Sequence, residues 1–201
     1  MNSRKIAQAG TDEWYTARRR GVSATAVAKA STPAGFREAV ENAINPVEIP
    51  DNGFMKFGRD YENWIVENIP ETYGIDHNDW LVCADGAGNE WQLATPDGLN
   101  ADWTVIAEVK TTGKEWASYH QIPIQYRRQV QWQLHVTGAD MCVFAYLLRT
   151  TAPNGDLVPA WFAPEIYEIP RDELLIAELI DTAQRLQQEI IFREESERGT
   201  I

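Results

Sequence analysis

The chain has 201 residues, 44% of them hydrophobic and 24% charged, enough apolar side chain for one well-packed domain and short for two. Thirty acidic residues against 18 basic ones give a net charge of −12, which excludes a protein that coats nucleic acid through a uniformly positive surface. No run approaches the roughly 18 apolar residues of a membrane span, and the start "MNSRKIAQAGTDEW" lacks the apolar core of a signal peptide, so the expected location is cytoplasmic.

Two isolated cysteines, Cys83 and Cys142, give no Cys-x-x-Cys pair for zinc, an iron–sulfur cluster or redox work; both are expected reduced, with Cys142 in the core. The charge is unevenly spread. "ARRRG" at 17–21, Lys110 with Lys114 and "YRRQ" at 126–129 are basic, while the acids crowd into 38–90 and the C-terminal tail, so a local basic path is compatible with the acidic total.

In chain order, "VSATAVAKA" (22–30) predicts a helix with Ser and Thr at its start. "STPAGFREAVENAINPVEIPDNG" mixes a short helical piece with Pro and Gly and reads as a connection. "FMKFGRDYENWIVENI" (54–69) places Tyr61, Ile65 and Ile69 at helical spacing before Pro70. Residues 76–112 hold three short strand candidates separated by Asp-Gly and Gly-Asn turn signals, expected at the centre of the sheet. "IPIQYRRQVQWQLHVTGA" predicts a helix with Tyr126, Val130, Leu134 and Thr137 on one face, ended by Gly138. "MCVFAYLL" (141–148) is a continuous apolar strand, "WFAPEIYEI" (161–169) another strand, and 171–195 a long amphipathic helix with Leu175, Leu179, Leu186 and Ile190 inward. The expected fold class is α/β: one domain, residues 1–201, with a central mixed β-sheet flanked by helices.

The stretch "TPDGLNADWTVIAEVKTT" concentrates the chemistry. Residues two apart on a strand face the same way, so Glu108 and Lys110 project together while Val109 enters the opposite layer. Pro96-Asp97-Gly98 reads as a turn, and a hairpin arm returning from it sets the Asp97 carboxylate beside Glu108. Two carboxylates that close repel unless a proton or cation lies between them. A hard divalent cation such as Mg²⁺ suits oxygen ligands, with the Val109 backbone carbonyl as a further one. A metal next to a lysine is an arrangement for phosphodiester cleavage, in which Lys110 orients or helps deprotonate the attacking water. The competing expectation is an exposed strand whose Glu and Lys only discourage edge pairing. Three neighbours add weight to the metal site. Glu62 in "FGRDYEN" stands ready to complete it from a helix, Gln125, Gln129 and Gln133 share one face of the helix after the strand, and the arginines of "ARRRG" precede a Ser/Thr-rich helix start suited to phosphate.

The ordered set "W…ARRRGVSATAV", "GRDYENWIVENI", "ATPDGL", "AEVKTT" and "YRRQVQWQLHVTGA", spanning 14–139, resembles the lambda-type phage exonuclease family, also called YqaJ-like viral recombinases. The resemblance implies a restriction-endonuclease-like core of the PD-(D/E)xK superfamily and a metal-dependent deoxyribonuclease, with one or two Mg²⁺ ions and Mn²⁺ as a substitute. The enzyme would digest linear double-stranded DNA from 5′ ends and leave 3′ single strands. Carried over by motif, Asp97 and Glu108 become metal ligands, Lys110 positions the water, Glu62 is a second ligand or water organiser, and the downstream glutamine falls on Gln129 before Gln131 or Gln133. The 5′-phosphate arginine falls on Arg18 counting from Trp14, or on Arg19 counting back from Gly21, with Ser23 as a second donor. The family also implies a homotrimeric ring threaded by duplex DNA, a single-strand annealing protein as partner in recombination, and a phage- or prophage-encoded protein of the bacterial cytoplasm. An iron–sulfur relative would need four clustered cysteines and is excluded. A type II restriction-like endonuclease and an inactive DNA-binding protein of the same fold are the alternatives.

Overall fold

The computed structural model describes residues 4–47 and 49–198 and arranges them as two β-sheets with helices between and outside them. A strand β1 (Arg4–Gln8) leads into α1 (Asp12–Arg20), where the Thr11 hydroxyl accepts from the Trp14 N–H at 3.2 Å. Acidic Asp12 and Glu13 in its first turn and Arg18, Arg19 and Arg20 in its last complement the helix dipole. The helix expected over 22–30 starts late. Val22 and Ser23 form β2, with the Val22 N–H on the Trp91 carbonyl at 2.7 Å, and Ser23 caps α2 (Ala24–Ala30).

The stretch read as a connection is instead a full helix, α3 (Pro33–Ile44). Its proline occupies the first turn, where no N–H is required, and the Thr32 hydroxyl caps the Gly35 N–H at 3.1 Å. Helix α4 (Gly53–Glu67) follows, capped by Asn52, and stops three residues before Pro70.

Residues 75–112 carry five strands rather than three: β3 (Ile75–His77), β4 (Trp80–Cys83), β5 (Gln92–Ala94), β6 (Gly98–Asn100) and β7 (Val105–Thr112). They divide between two sheets. The smaller runs β1-β4-β5-β2, and the larger β10-β8-β7-β6-β3, built with β8 (Met141–Thr151) and β10 (Glu165–Pro170); β9 (Leu157–Pro159) pairs with the far end of β8. β7 and β8 are parallel, the other pairings of the larger sheet antiparallel.

Helix α5 (Ile124–Thr137), ended by Gly138 in the left-handed conformation, connects this parallel pair. Strand alternation then sorts the core. Ile106, Cys142, Phe144 and Tyr146 meet Val130 and Leu134 of α5 on one face of the larger sheet, while Ala107, Val109, Val143, Ala145 and Leu147 meet Phe57, Ile65 and Val66 of α4 on the other. Trp132 and Val136 of α5 pack instead with the smaller sheet, α2 and α6 (Glu173–Arg198). Helix α5 is therefore buried on all sides from Val130 to Thr137, more than its one predicted face requires. On α6, Leu179, Leu186 and Ile190 point inward as expected, joined by Ile176 and Ala183, whereas Leu175 is only partly buried. Cys83 and Cys142 are both buried, and neither is joined in a disulfide. Among the described residues no helix is long and apolar enough to cross a membrane.

Candidate active site

The β6–β7 hairpin forms, with its reversal elsewhere than expected. Gly98 faces Ala107 and Leu99 faces Ile106, so the chain turns through residues 101–104, and Pro96-Asp97-Gly98 is the lead-in to β6. That lead-in is held tightly. Buried Asn78 donates its amide to the Pro96 carbonyl at 2.8 Å and its N–H to the Asp97 carbonyl at 2.9 Å, while the Asp97 N–H bonds to the Ala107 carbonyl at 2.9 Å. Gly98 admits no side chain, because a Cβ there would lie 2.6 Å from Ile75 Cγ2 and 3.1 Å from Ala107 Cβ. The Asp97 carboxylate accepts the Val109 N–H on Oδ2 at 2.7 Å, which sets it against the β7 backbone and leaves Oδ1 for another partner.

Glu108 and Lys110 share a face of β7, and the Lys110 ammonium bonds both Glu108 Oε1 and, at 3.2 Å, the Val109 carbonyl. Glu108 is only 1% exposed, so each of its oxygens needs a donor inside the protein. Helix α5 supplies them. Gln129 Nε2 donates to Oε1 and Gln133 Nε2 to Oε2, each at 2.7 Å, as two residues one helical turn apart on the same face. Gln131 points the other way, donating to the Pro170 carbonyl at 2.9 Å, and Gln125 is exposed. The family resemblance favours Gln129 over Gln133, yet both hold Glu108, and their four-residue spacing along the helix is the signal for it.

Electrostatics match this geometry. Burial and then the Glu108 charge push the Asp97 carboxyl well above the usual carboxylate range, against the pull of Lys110. Burial opposes the Lys110 charge, but Glu108 and Asp97 outweigh it and raise the amine, which stays an ammonium. Burial and Glu108 also push up the Cys142 thiol.

Lys110 opens onto a cleft of about 460 Å³, lined also by Phe54, Gly58, Glu62, Val109, Tyr126 and Arg149. It lies where α4 and α5, on opposite faces of the sheet, part near the carboxyl ends of the parallel strands β7 and β8. Glu62 faces this cleft from α4, with His77 Nε2 3.3 Å from its Oε1, and its charge reaches Asp97. The aromatic residues of the wall are Phe54 and Tyr126, whereas Trp132 of α5 is wholly buried in the core.

Arg18, Arg19 and Ser23 gather elsewhere. Arg18 stacks over the Trp14 ring at 4.5 Å, and burial lowers its pKa. It lines two hollows, one with Arg19 and Asn42, the other with Ser23 and Lys29. The Ser23 oxygen accepts from the Ala26 N–H at 3.4 Å, leaving its hydroxyl hydrogen free to donate.

The donor set suits a hard divalent cation. Asp97, Glu108 and the Val109 carbonyl are all oxygen donors, and the ammonium of Lys110 already sits on two of them as a stand-in positive charge. Among the described residues no three His, Cys, Asp or Glu side chains are gathered into a group able to hold a metal ion, and Glu62 lines the same cleft as Lys110.

Solved structures share the architecture. LHK-Exo in complex with dAMP aligns with a TM-score of 0.66 at 24% identity, covering 95% of this chain and 100% of that one. An alkaline exonuclease (LHK-Exo) from Laribacter hongkongensis gives 0.65 at 23% over the same shares. A phage related exonuclease from Haemophilus somnus 129PT gives 0.64 at 14%, covering 88% of this chain and 96% of that one. These likenesses establish the fold, a mixed α/β arrangement with helices flanking the sheets. No curated protein matches the chain. With the pattern of the family matching residues 13–140, more than half its length, the chain belongs to the YqaJ-like viral recombinase domain family.

Proposed function

We propose that the protein is a Mg²⁺-dependent exonuclease, a single nuclease domain over residues 1–201, that digests linear duplex DNA from 5′ ends and leaves 3′ strands for annealing. The observation that carries this is Lys110, at the wall of the cleft, bonded to the buried Glu108 carboxylate beside an Asp97 carboxylate held on the Val109 N–H, in a chain of this family. Asp97 Oδ1, Glu108 and the Val109 carbonyl would hold the metal, with Glu62 of the cleft wall organising a second ion or a water. The ion, Mg²⁺ or Mn²⁺, would polarise the scissile phosphoryl group and acidify the attacking water. Gln129 and Gln133 fix the Glu108 carboxylate, so that it keeps its orientation when Lys110 leaves Oε1. As an ammonium, Lys110 orients the water by donating to its surroundings and balances the charge that develops on phosphorus-bound oxygen. Arg18, fixed on Trp14, is the favoured holder of the DNA 5′-phosphate, with Ser23 donating beside it and Arg19 nearby. Assembly as a homotrimeric ring, partnership with a single-strand annealing protein and action in the bacterial cytoplasm complete the proposal by family analogy.

The test is a digestion time course on linear duplex DNA and on covalently closed circles, with Mg²⁺ or chelator, for wild type and Lys110→Ala. Mg²⁺-dependent loss of linear DNA alone, abolished in the variant, is the expected result. Cutting of circles would replace this reading with an endonuclease, and no cutting of either with a DNA-binding protein.

A further inference from the structure

The cleft wall contains three cations, Arg59, Lys110 and Arg149, beside the single carboxylate of Glu62, and they are not in the same condition. Lys110 is bonded to Glu108. Arg59 makes a two-pronged pair with Asp51, at 3.0 and 2.5 Å. Arg149 is different. Its guanidinium stacks over the Phe54 ring at 4.7 Å, its Nη1 reaches Thr111 Oγ1 at 3.4 Å, and its Nε is buried with no hydrogen-bond partner. Among the described residues no carboxylate lies within ion-pair distance of it, in a chain with 30 acidic residues against 18 basic ones.

A half-buried guanidinium without a counter-ion is a costly thing to hold in place, and burial accordingly lowers its pKa. Strand and stack nevertheless over-determine its position. Arg149 stands on β8 two residues beyond Leu147, which faces Thr111 across the parallel pair, so the guanidinium is set beside the carboxyl end of the strand that carries Glu108 and Lys110. A planar cation fixed in a cleft and lacking an acid is suited to an arriving anion with several acceptor oxygens. Resting on the nuclease reading above, we propose that Arg149 binds an internal phosphate of the DNA strand, next to the one being cleaved.

The experiment is equilibrium binding of labelled linear duplex by fluorescence anisotropy, with Ca²⁺ replacing Mg²⁺, across a salt series. Wild type, Arg149→Met and Arg149→Lys are compared on 5′-phosphorylated and 5′-hydroxyl ends, with thermal melts of each protein. Arg149→Met, which keeps an apolar stem on Phe54, should bind roughly tenfold more weakly, with the slope of log affinity against log salt reduced by about one. Arg149→Lys should keep the slope and lose less affinity, which also serves if the Met variant melts early. The loss should be equal on both kinds of end. A loss confined to 5′-phosphorylated ends overturns the internal assignment, and unchanged affinity and slope in a folded Arg149→Met removes the contact altogether. If wild type digests linear DNA while binding ignores Arg149, only this proposal fails; if binding depends on Arg149 and nothing is digested, the nuclease reading fails instead.

Discussion

Replacing Gln133 by methionine keeps the side-chain volume of α5 nearly constant and removes one donor from a carboxylate that is 1% exposed. The Gln133 amide is the side-chain donor to Glu108 Oε2, at 2.7 Å, whereas Oε1 has both Gln129 and Lys110. Losing a hydrogen bond to a charged group costs about 1.5–3 kcal/mol. Part is offset, because Gln133 Oε1 is itself buried with no partner, and removing such an orphan returns roughly 1 kcal/mol. The net expectation is a destabilisation of about 0.5–2 kcal/mol, or a fall of roughly 1–8 °C in Tm for a chain of this size. Melts in chelator for wild type, Gln133→Met, Glu108→Gln and the double variant close a thermodynamic cycle. In the Glu108→Gln background the charge-assisted part is already gone, so Gln133→Met should cost close to nothing. An equal fall in Tm in both backgrounds would refute the reasoning, since the cost would then come from packing on α5 or from the long 3.4 Å bond of Gln133 to the Thr95 carbonyl, and not from the bond to Glu108.

Asp97→Asn should flatten the pH dependence of stability in the metal-free protein. The folded carboxyl titrates above its unfolded value because of burial and Glu108, so the folded state holds the proton more tightly. Stability is then full below the ordinary carboxylate range and declines as pH rises to the raised folded value, by up to about 1.4 kcal/mol per pH unit. Melts across pH in chelator should show the variant more stable than wild type at neutral pH, and parallel profiles would sink the idea. Gly98→Ala should destabilise by about 1–3 kcal/mol through overpacking, read as a lower urea midpoint. The new methyl would press on Ile75 and Ala107, and an unchanged midpoint would mean that β6 yields at no cost.

The period of two along β7 was enough to place Glu108 and Lys110 on one face and Val109 on the other, because strand geometry leaves no choice once the strand is recognised. The approach of Asp97 followed from the hairpin even though the turn was put in the wrong place, since antiparallel pairing depends on register more than on which residues reverse the chain. The division into two sheets was not legible. Turn signals around Asp85-Gly86 and Gly88-Asn89 are local and say nothing about which neighbour β4 and β5 choose. Helix α3 was hidden by Pro33 and Gly35, residues that punctuate most sequences but here occupy a first turn and a close contact, where a Cβ on Gly35 would lie 2.0 Å from the Lys29 carbonyl. Arg149 carried no motif; its place in the cleft depends on the pairing of β7 with β8 and on Phe54 from a distant helix.

The bond between Lys110 and Glu108 bears on how the proposed metal ion would enter the site. The tethered ammonium balances the Glu108 carboxylate and Asp97 is pushed toward its protonated form, so the site carries little net charge without an ion and a chelator should leave the fold standing. An arriving ion would have to displace an ammonium attached to the same chain, a competitor whose effective concentration is set by the tether and not by the solution. On the proposed reading, metal occupancy would be set by a competition within the protein, with Lys110 both the group that positions the water and the ion's competitor.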